Sequence, residues 1–230
     1  GVTVYHTPGR NATAVADFTI GMILSECRNI ARAHANLKAG RWVRDYVNAA
    51  TVPDLEDKTV GIIGLGQVGR KVAKRLHGFD VRILGYDPYA DTLPDYVVRA
   101  SLDELLEQAD FVTIHGRLTD ETKGMMNAHA FSLMKPTAYF INTARAGLVD
   151  EAALYAALKE RRIQGAALDV FEHEPLKEDD PLVGLDNVTI TPHLAGGTVD
   201  AFLHSPILLA REMEGALSGD LTSRYIVRQK

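Results

Sequence analysis

Thr59-Val60-Gly61-Ile62-Ile63-Gly64-Leu65-Gly66-Gln67-Val68-Gly69 sets a short apolar run against a glycine turn that opens a helical pattern. In that context each glycine answers a separate demand. Gly64 permits the tight turn, Gly66 lets backbone approach a pyrophosphate, and Gly69 lets helix pack on strand. The helix N-terminus that follows, at Gln67 and Val68, offers unpaired N–H groups and partial positive charge to an anion. Asp87 ends the next apolar run, 21 residues after Gly66. A carboxylate there accepts hydrogen bonds from adenosine ribose hydroxyls and repels a 2′-phosphate. The following Pro88-Tyr89 offers no cation, so the pattern favours NAD over NADP.

Working outward, short apolar runs alternate with helical stretches in the rhythm of a doubly wound, parallel α/β sheet of the Rossmann type. Strands are expected at Thr59 to Ile63, Val81 to Tyr86, near Val97-Val98, Phe111 to Ile114, Ala138 to Ile141, Gly165 to Leu168 and Val188 to Thr191. Ser101 to Glu104 spells a capping box, and Asp150 is placed to cap the helix ending near Glu160. Upstream, Asn11 is expected to cap one long helix from Ala12 to Leu37, closed by Gly40. Its two apolar stripes predict packing on two sides. A last helix, Thr198 to about Leu217, contains Pro206, which predicts a kink or break.

Composition narrows the function classes. The 230 residues are 46% hydrophobic and 24% charged, with a net charge of −5. Intrinsic disorder is excluded, and no global basic field exists to draw in nucleic acid. The single cysteine, Cys27, builds neither an intrachain disulfide nor a thiolate metal site, which fits a reducing compartment. No membrane-length apolar run occurs, so the expected setting is cytoplasmic, without membrane partners.

Ligands of open α/β sheets bind beyond the carboxyl ends of the strands. His115, the run Asn142-Thr143-Ala144-Arg145, Asp169 with Glu174, and His193 all fall there. An Arg fork, a His and a carboxylate on one rim supply a clamp for a substrate carboxylate, a proton carrier, and a group to orient it.

These residues resemble the D-isomer-specific 2-hydroxyacid dehydrogenase family, which includes phosphoglycerate dehydrogenases. The resemblance rests on Thr7-Pro8-Gly9-Arg10-Asn11, Val60 to Gly66, Asn142 to Arg145, Ala167 to Pro175 and Thr191-Pro192-His193. It implies an NAD-dependent hydride transfer between the cofactor and a small 2-oxo or 2-hydroxy acid. In it Arg145 binds the substrate carboxylate, Glu174 supports the imidazole, and His193 is the catalytic His. Asp169 would hold the nicotinamide carboxamide, and His115, Thr143 and Ala144 would line the cofactor cleft. A homodimer through the helix at 12–38 is the further expectation.

The resemblance also implies a domain plan. Residues 1–10 correspond to the last strand of a flavodoxin-like substrate domain and its hinge, 11–195 to the NAD-binding domain, and 196–230 to a returning hinge and helix. Most of the substrate domain is not in the sequence, so this part alone is expected to bind NAD and turn over weakly. The departures are Arg117, where relatives carry proline, Ala146, where they carry glycine, and Pro206. Corepressor-like NAD-binding modules share the same three site residues. Formate dehydrogenases are disfavoured because Glu174 stands where they carry glutamine.

Overall fold

The apolar runs form seven strands, most of them buried on both faces. A computed structural model describes residues 4, 5, 7–46, 48 and 53–218. The strands are β1 (Thr59–Ile63), β2 (Arg82–Tyr86), β3 (Val97–Arg99), β4 (Phe111–Ile114), β5 (Tyr139–Asn142), β6 (Gly165–Leu168) and β7 (Val188–Ile190). Every pairing is parallel, in the order β3-β2-β1-β4-β5-β6-β7. The chain reverses its winding between β1 and β4, so a ligand crevice opens at their carboxyl ends. The expected strand at residues 2–5 lies outside the described residues, apart from Val4 and Tyr5.

Helices cover both faces: α1 (Ala12–Cys27), α2 (Ile30–Lys38), α3 (Gln67–Leu76), α4 (Leu102–Gln108), α5 (Ala128–Leu133), α6 (Glu151–Lys159) and α7 (Val199–Leu217). Val60 and Ile62 of β1 and Tyr139 and Ile141 of β5 pack with Ile23 of α1 and Val72 and Leu76 of α3. Ile63 and Phe140 face the other way, into a core with Leu105 and Leu106 of α4, Phe131 of α5 and Leu158 of α6. Period-two side chains thus build two cores from one sheet. Ser101 forms the expected capping box with Glu104, and Asp150 accepts from the Ala153 N–H at 3.0 Å.

Three expectations need correction. The helix from Ala12 to Leu37 is two helices, α1 and α2, because Asn29 adopts left-handed backbone (φ 57°). Asparagine tolerates that conformation, and its Nδ2 donates to Asn48 Oδ1 at 2.6 Å in the buried corner. Arg32 of α2 then folds back onto buried Glu26 of α1, with Nη2 at 2.7 and 2.9 Å from the two carboxylate oxygens. Burial pushes the Glu26 carboxyl up from its ordinary value, and Arg32 opposes the rise. Thr189 of β7 donates to the same carboxylate at 2.6 Å, which ties both helices to the sheet edge.

Second, Asn11 starts α1 without a side-chain cap. Its amide instead occupies the space beside Gly196, where a Cβ would lie 2.4 Å from Nδ2. Third, of the expected kink or break at Pro206, the break does not occur, because the helix is continuous from Val199 to Leu217. Proline's fixed φ is compatible with a helix, although it removes one backbone donor. The Ser205 hydroxyl meanwhile donates to the Ala201 carbonyl.

Candidate active site

The turn after β1 shows three distinct glycine environments. Gly64 has φ 91°, and a Cβ there would sit 2.6 Å from the Gly116 backbone nitrogen. A Cβ on Gly69 would sit 2.0 Å from the Gly64 carbonyl oxygen, so the first turn of α3 lies directly on the strand end. A Cβ on Gly66 would meet nothing within 4 Å. No side chain caps α3, so the amides of its first turn are left without a side-chain partner. Gln67 turns its side chain away, with Nε2 donating to the Pro8 carbonyl at 3.4 Å, and Val68 packs on the α1–α3 core. These two residues therefore have backbone amides, not side chains, to offer a phosphate.

A cleft of about 830 Å³ lies at the carboxyl ends of β1, β2 and β4, and Arg145, Glu174 and His193 are not in its lining. Gly64, Gly66, Asp87, His115 and Arg117 are among the residues lining it. Asp87 is oriented through both oxygens, accepting from the Leu65 N–H at 2.7 Å and the Tyr89 N–H at 2.9 Å. His115 Nε2 pairs with Thr113 Oγ1 at 2.9 Å, whereas its buried Nδ1 has no partner. Burial pushes the His115 ring down to about 3, so it is neutral at physiological pH. An orphaned ring nitrogen and an open approach to Gly66 are what a bound dinucleotide would occupy, and the residues present fit NAD.

The second half of the rim carries the reactive groups. His193 Nδ1 lies 2.8 Å from Glu174 Oε2, and Glu174 Oε1 accepts from the Phe171 N–H at 3.1 Å. The bond from His193 holds the Glu174 carboxyl below its ordinary value, with the Phe171 amide and the charge of Arg145 acting in the same direction. Arg145 is exposed and held at its root. Asn142 at the end of β5 accepts from the Ala144 N–H and donates to the Arg145 carbonyl, both at 3.0 Å. Ala146 is not among the residues with positive φ, so replacing the family's glycine there costs no left-handed strain.

Two predicted site residues point inward. The Thr143 hydroxyl bonds Thr19 of α1 at 2.8 Å in a buried position. Asp169 is fully buried, and its carboxylate accepts from the Thr191 hydroxyl at 2.6 Å, the Leu194 N–H at 2.9 Å and the Ala195 N–H at 2.8 Å. That clamp holds the loop on which His193 sits in left-handed backbone at φ 55°. Thr191 and Asn142 thus shape the site through loop hydrogen bonds. Their only sequence signal is position, a small polar residue directly at a strand's carboxyl end.

Residues 20–195 match the family described as D-isomer specific 2-hydroxyacid dehydrogenase, NAD binding domain. The chain belongs to this family. It is 44% identical, over its whole length and 69% of the relative's, to a glyoxylate reductase of Thermofilum pendens. It is 40% identical, over 98% of its length and 43% of the relative's, to a D-3-phosphoglycerate dehydrogenase of Methanocaldococcus jannaschii. Among solved structures, an acyclic imino acid reductase in complex with NADPH and D-Arg superposes with a TM-score of 0.88 at 29% identity, over 99% of this chain and 71% of that one. The family's chemistry is NAD-dependent oxidoreduction of hydroxy acids, and this chain carries its NAD-binding domain. Among the described residues no helix is long and apolar enough to cross a membrane.

Proposed function

We propose that the complete protein interconverts a 2-oxo acid and its D-2-hydroxy acid with NAD(H). The observation that carries this reading is the 2.8 Å pair of His193 Nδ1 and Glu174 Oε2, with Arg145 close enough to act electrostatically on the same carboxylate. When bound, the nicotinamide supplies or receives the hydride. Arg145 binds the substrate carboxylate through its guanidinium fork, and its charge polarises the adjacent carbonyl. His193 holds a proton at Nε2 for the carbonyl oxygen in reduction and takes one from the hydroxyl in oxidation. Glu174 fixes the ring through Nδ1, which leaves Nε2 for the substrate. Asp169, expected to hold the nicotinamide carboxamide, is fully buried and acts instead by holding the His193 loop through three hydrogen bonds.

Asp87 supports NAD over NADP, since its oriented carboxylate would face a 2′-phosphate. The names of the relatives point to glyoxylate, hydroxypyruvate or phosphohydroxypyruvate as the oxo acid. A homodimer is supported by the exposed Ile30 and Leu37 of α2 and by Trp42 beyond it, apolar surface that α1 does not share. Sedimentation at micromolar concentration gives twice the chain mass if that surface pairs.

The test of activity is NADH oxidation by the complete protein against a panel of these 2-oxo acids. Turnover of at least one supports the proposal. Tight NADH binding without turnover of any would point to a binding module.

A further inference from the structure

The outer wall of the cofactor cleft carries a hydrogen bond that the proposed chemistry does not use. Tyr89, in the turn after β2, donates its hydroxyl to Glu121 Oε2, in the turn after β4, at 2.5 Å. Both residues line the cleft. In the sheet, β2 and β4 flank β1 on opposite sides. A bond between their following turns therefore arches over the Gly64–Gly66 turn, across two strand spacings of roughly 4.8 Å each.

Both ends of this bond are anchored. The Tyr89 N–H donates to Asp87 Oδ1 at 2.9 Å, and Asp87 Oδ2 accepts from Leu65 in the glycine turn. On the other side Thr122 donates to the Arg117 carbonyl at 2.6 Å and accepts from the Thr119 N–H at 2.8 Å, which ties the turn bearing Glu121 to itself. The bond to Glu121 pushes the Tyr89 hydroxyl above its ordinary value, so it remains a donor throughout the physiological range. One run of hydrogen bonds thus joins Glu121, Tyr89, Asp87 and Leu65 around the end of the cleft where the Asp87 carboxylate sits.

We propose that Tyr89 and Glu121 form a strap that closes over the adenosine half of the bound dinucleotide and holds Asp87 toward its ribose. They are positioning residues that slow cofactor release. The inference rests on NAD binding at this cleft and not on the identity of the oxo acid.

The experiment compares wild type, Tyr89→Phe and Glu121→Gln in the complete protein. Stopped-flow fluorescence gives NADH association and release rates, and calorimetry gives the affinity for AMP, which carries only the adenosine half. Losing a charge-assisted bond predicts release of NADH about tenfold faster in Tyr89→Phe. AMP affinity should fall by a similar factor, and association should change less than twofold. Glu121→Gln keeps an acceptor for the tyrosine and should recover part of the effect. The melting temperature of this exposed pair's variants should stay near that of wild type. Unchanged release in Tyr89→Phe overturns the strap, and so does faster association with unchanged release, which would make the bond an obstruction. Loss of NADH affinity without loss of AMP affinity overturns its assignment to the adenosine half. Failure of wild type to bind NADH would instead strike the cofactor assignment itself.

Discussion

His193 Nδ1 and Glu174 Oε2 stand 2.8 Å apart at the rim of the sheet, joining the loop after β7 to the loop after β6. The bond fixes which imidazole nitrogen faces substrate. It also places the Glu174 carboxylate, held below its ordinary value by that bond, directly behind the ring.

Glu174→Gln keeps the shape and removes that charge. The reductive rate should fall about tenfold to a hundredfold at neutral pH. Steady-state kcat of wild type and variant checks this. An unchanged rate would detach Glu174 from the proton transfer.

The glycine turn separates folding from binding. Gly69→Ala puts a Cβ 2.0 Å from the Gly64 carbonyl, so it should cost about 1–3 kcal/mol of stability as well as NADH affinity. Gly66→Ala meets no protein atom and should leave the urea midpoint almost unchanged, yet weaken NADH about tenfold by filling the phosphate's approach. Denaturation and NADH titration of the two variants distinguish these outcomes.

The fold and the rim were legible in the sequence for the same reason: strand ends in a parallel sheet are fixed by apolar runs, and ligands gather beyond them. β1, β4 and β6 fall on their expected residues, and β7 stops one residue short. The break at Asn29 was not legible, because both sides keep a helical apolar period and the deciding bond, to Asn48, is contributed by a distant loop. The inward turn of Thr143 is equally non-local, since its partner Thr19 lies 124 residues away in sequence. His115, Arg145, Glu174 and His193 could be placed on the rim by position. The Tyr89–Glu121 bond could not, because nothing in either turn specifies the other.

The buried pair Glu26–Arg32 should matter to stability. Arg32→Met leaves the nearly inaccessible Glu26 carboxylate without its cation, at a cost of about 3–5 kcal/mol. Urea denaturation at neutral pH measures it. A loss below 1 kcal/mol would mean that Thr189 alone satisfies the carboxylate.

His115 predicts a pH dependence whose sign can be fixed. Its ring titrates near 3 when folded, against an ordinary value of 6.5. Between these values the unfolded chain binds the extra proton, so this residue stabilises the fold above pH 6.5 and loses that contribution as pH falls toward 3. His115→Gln should therefore show a shallower fall in urea midpoint between pH 7 and pH 5 than wild type. A fall at least as steep in the variant would show that the ring is not held neutral.

The most direct test of the active-site assignment is His193→Ala in the complete protein, assayed for NADH affinity and for turnover of the best 2-oxo acid together. Loss of a positioned general acid predicts kcat reduced by roughly 10²–10⁴ with NADH affinity within twofold of wild type. Turnover at the wild-type rate would contradict the account.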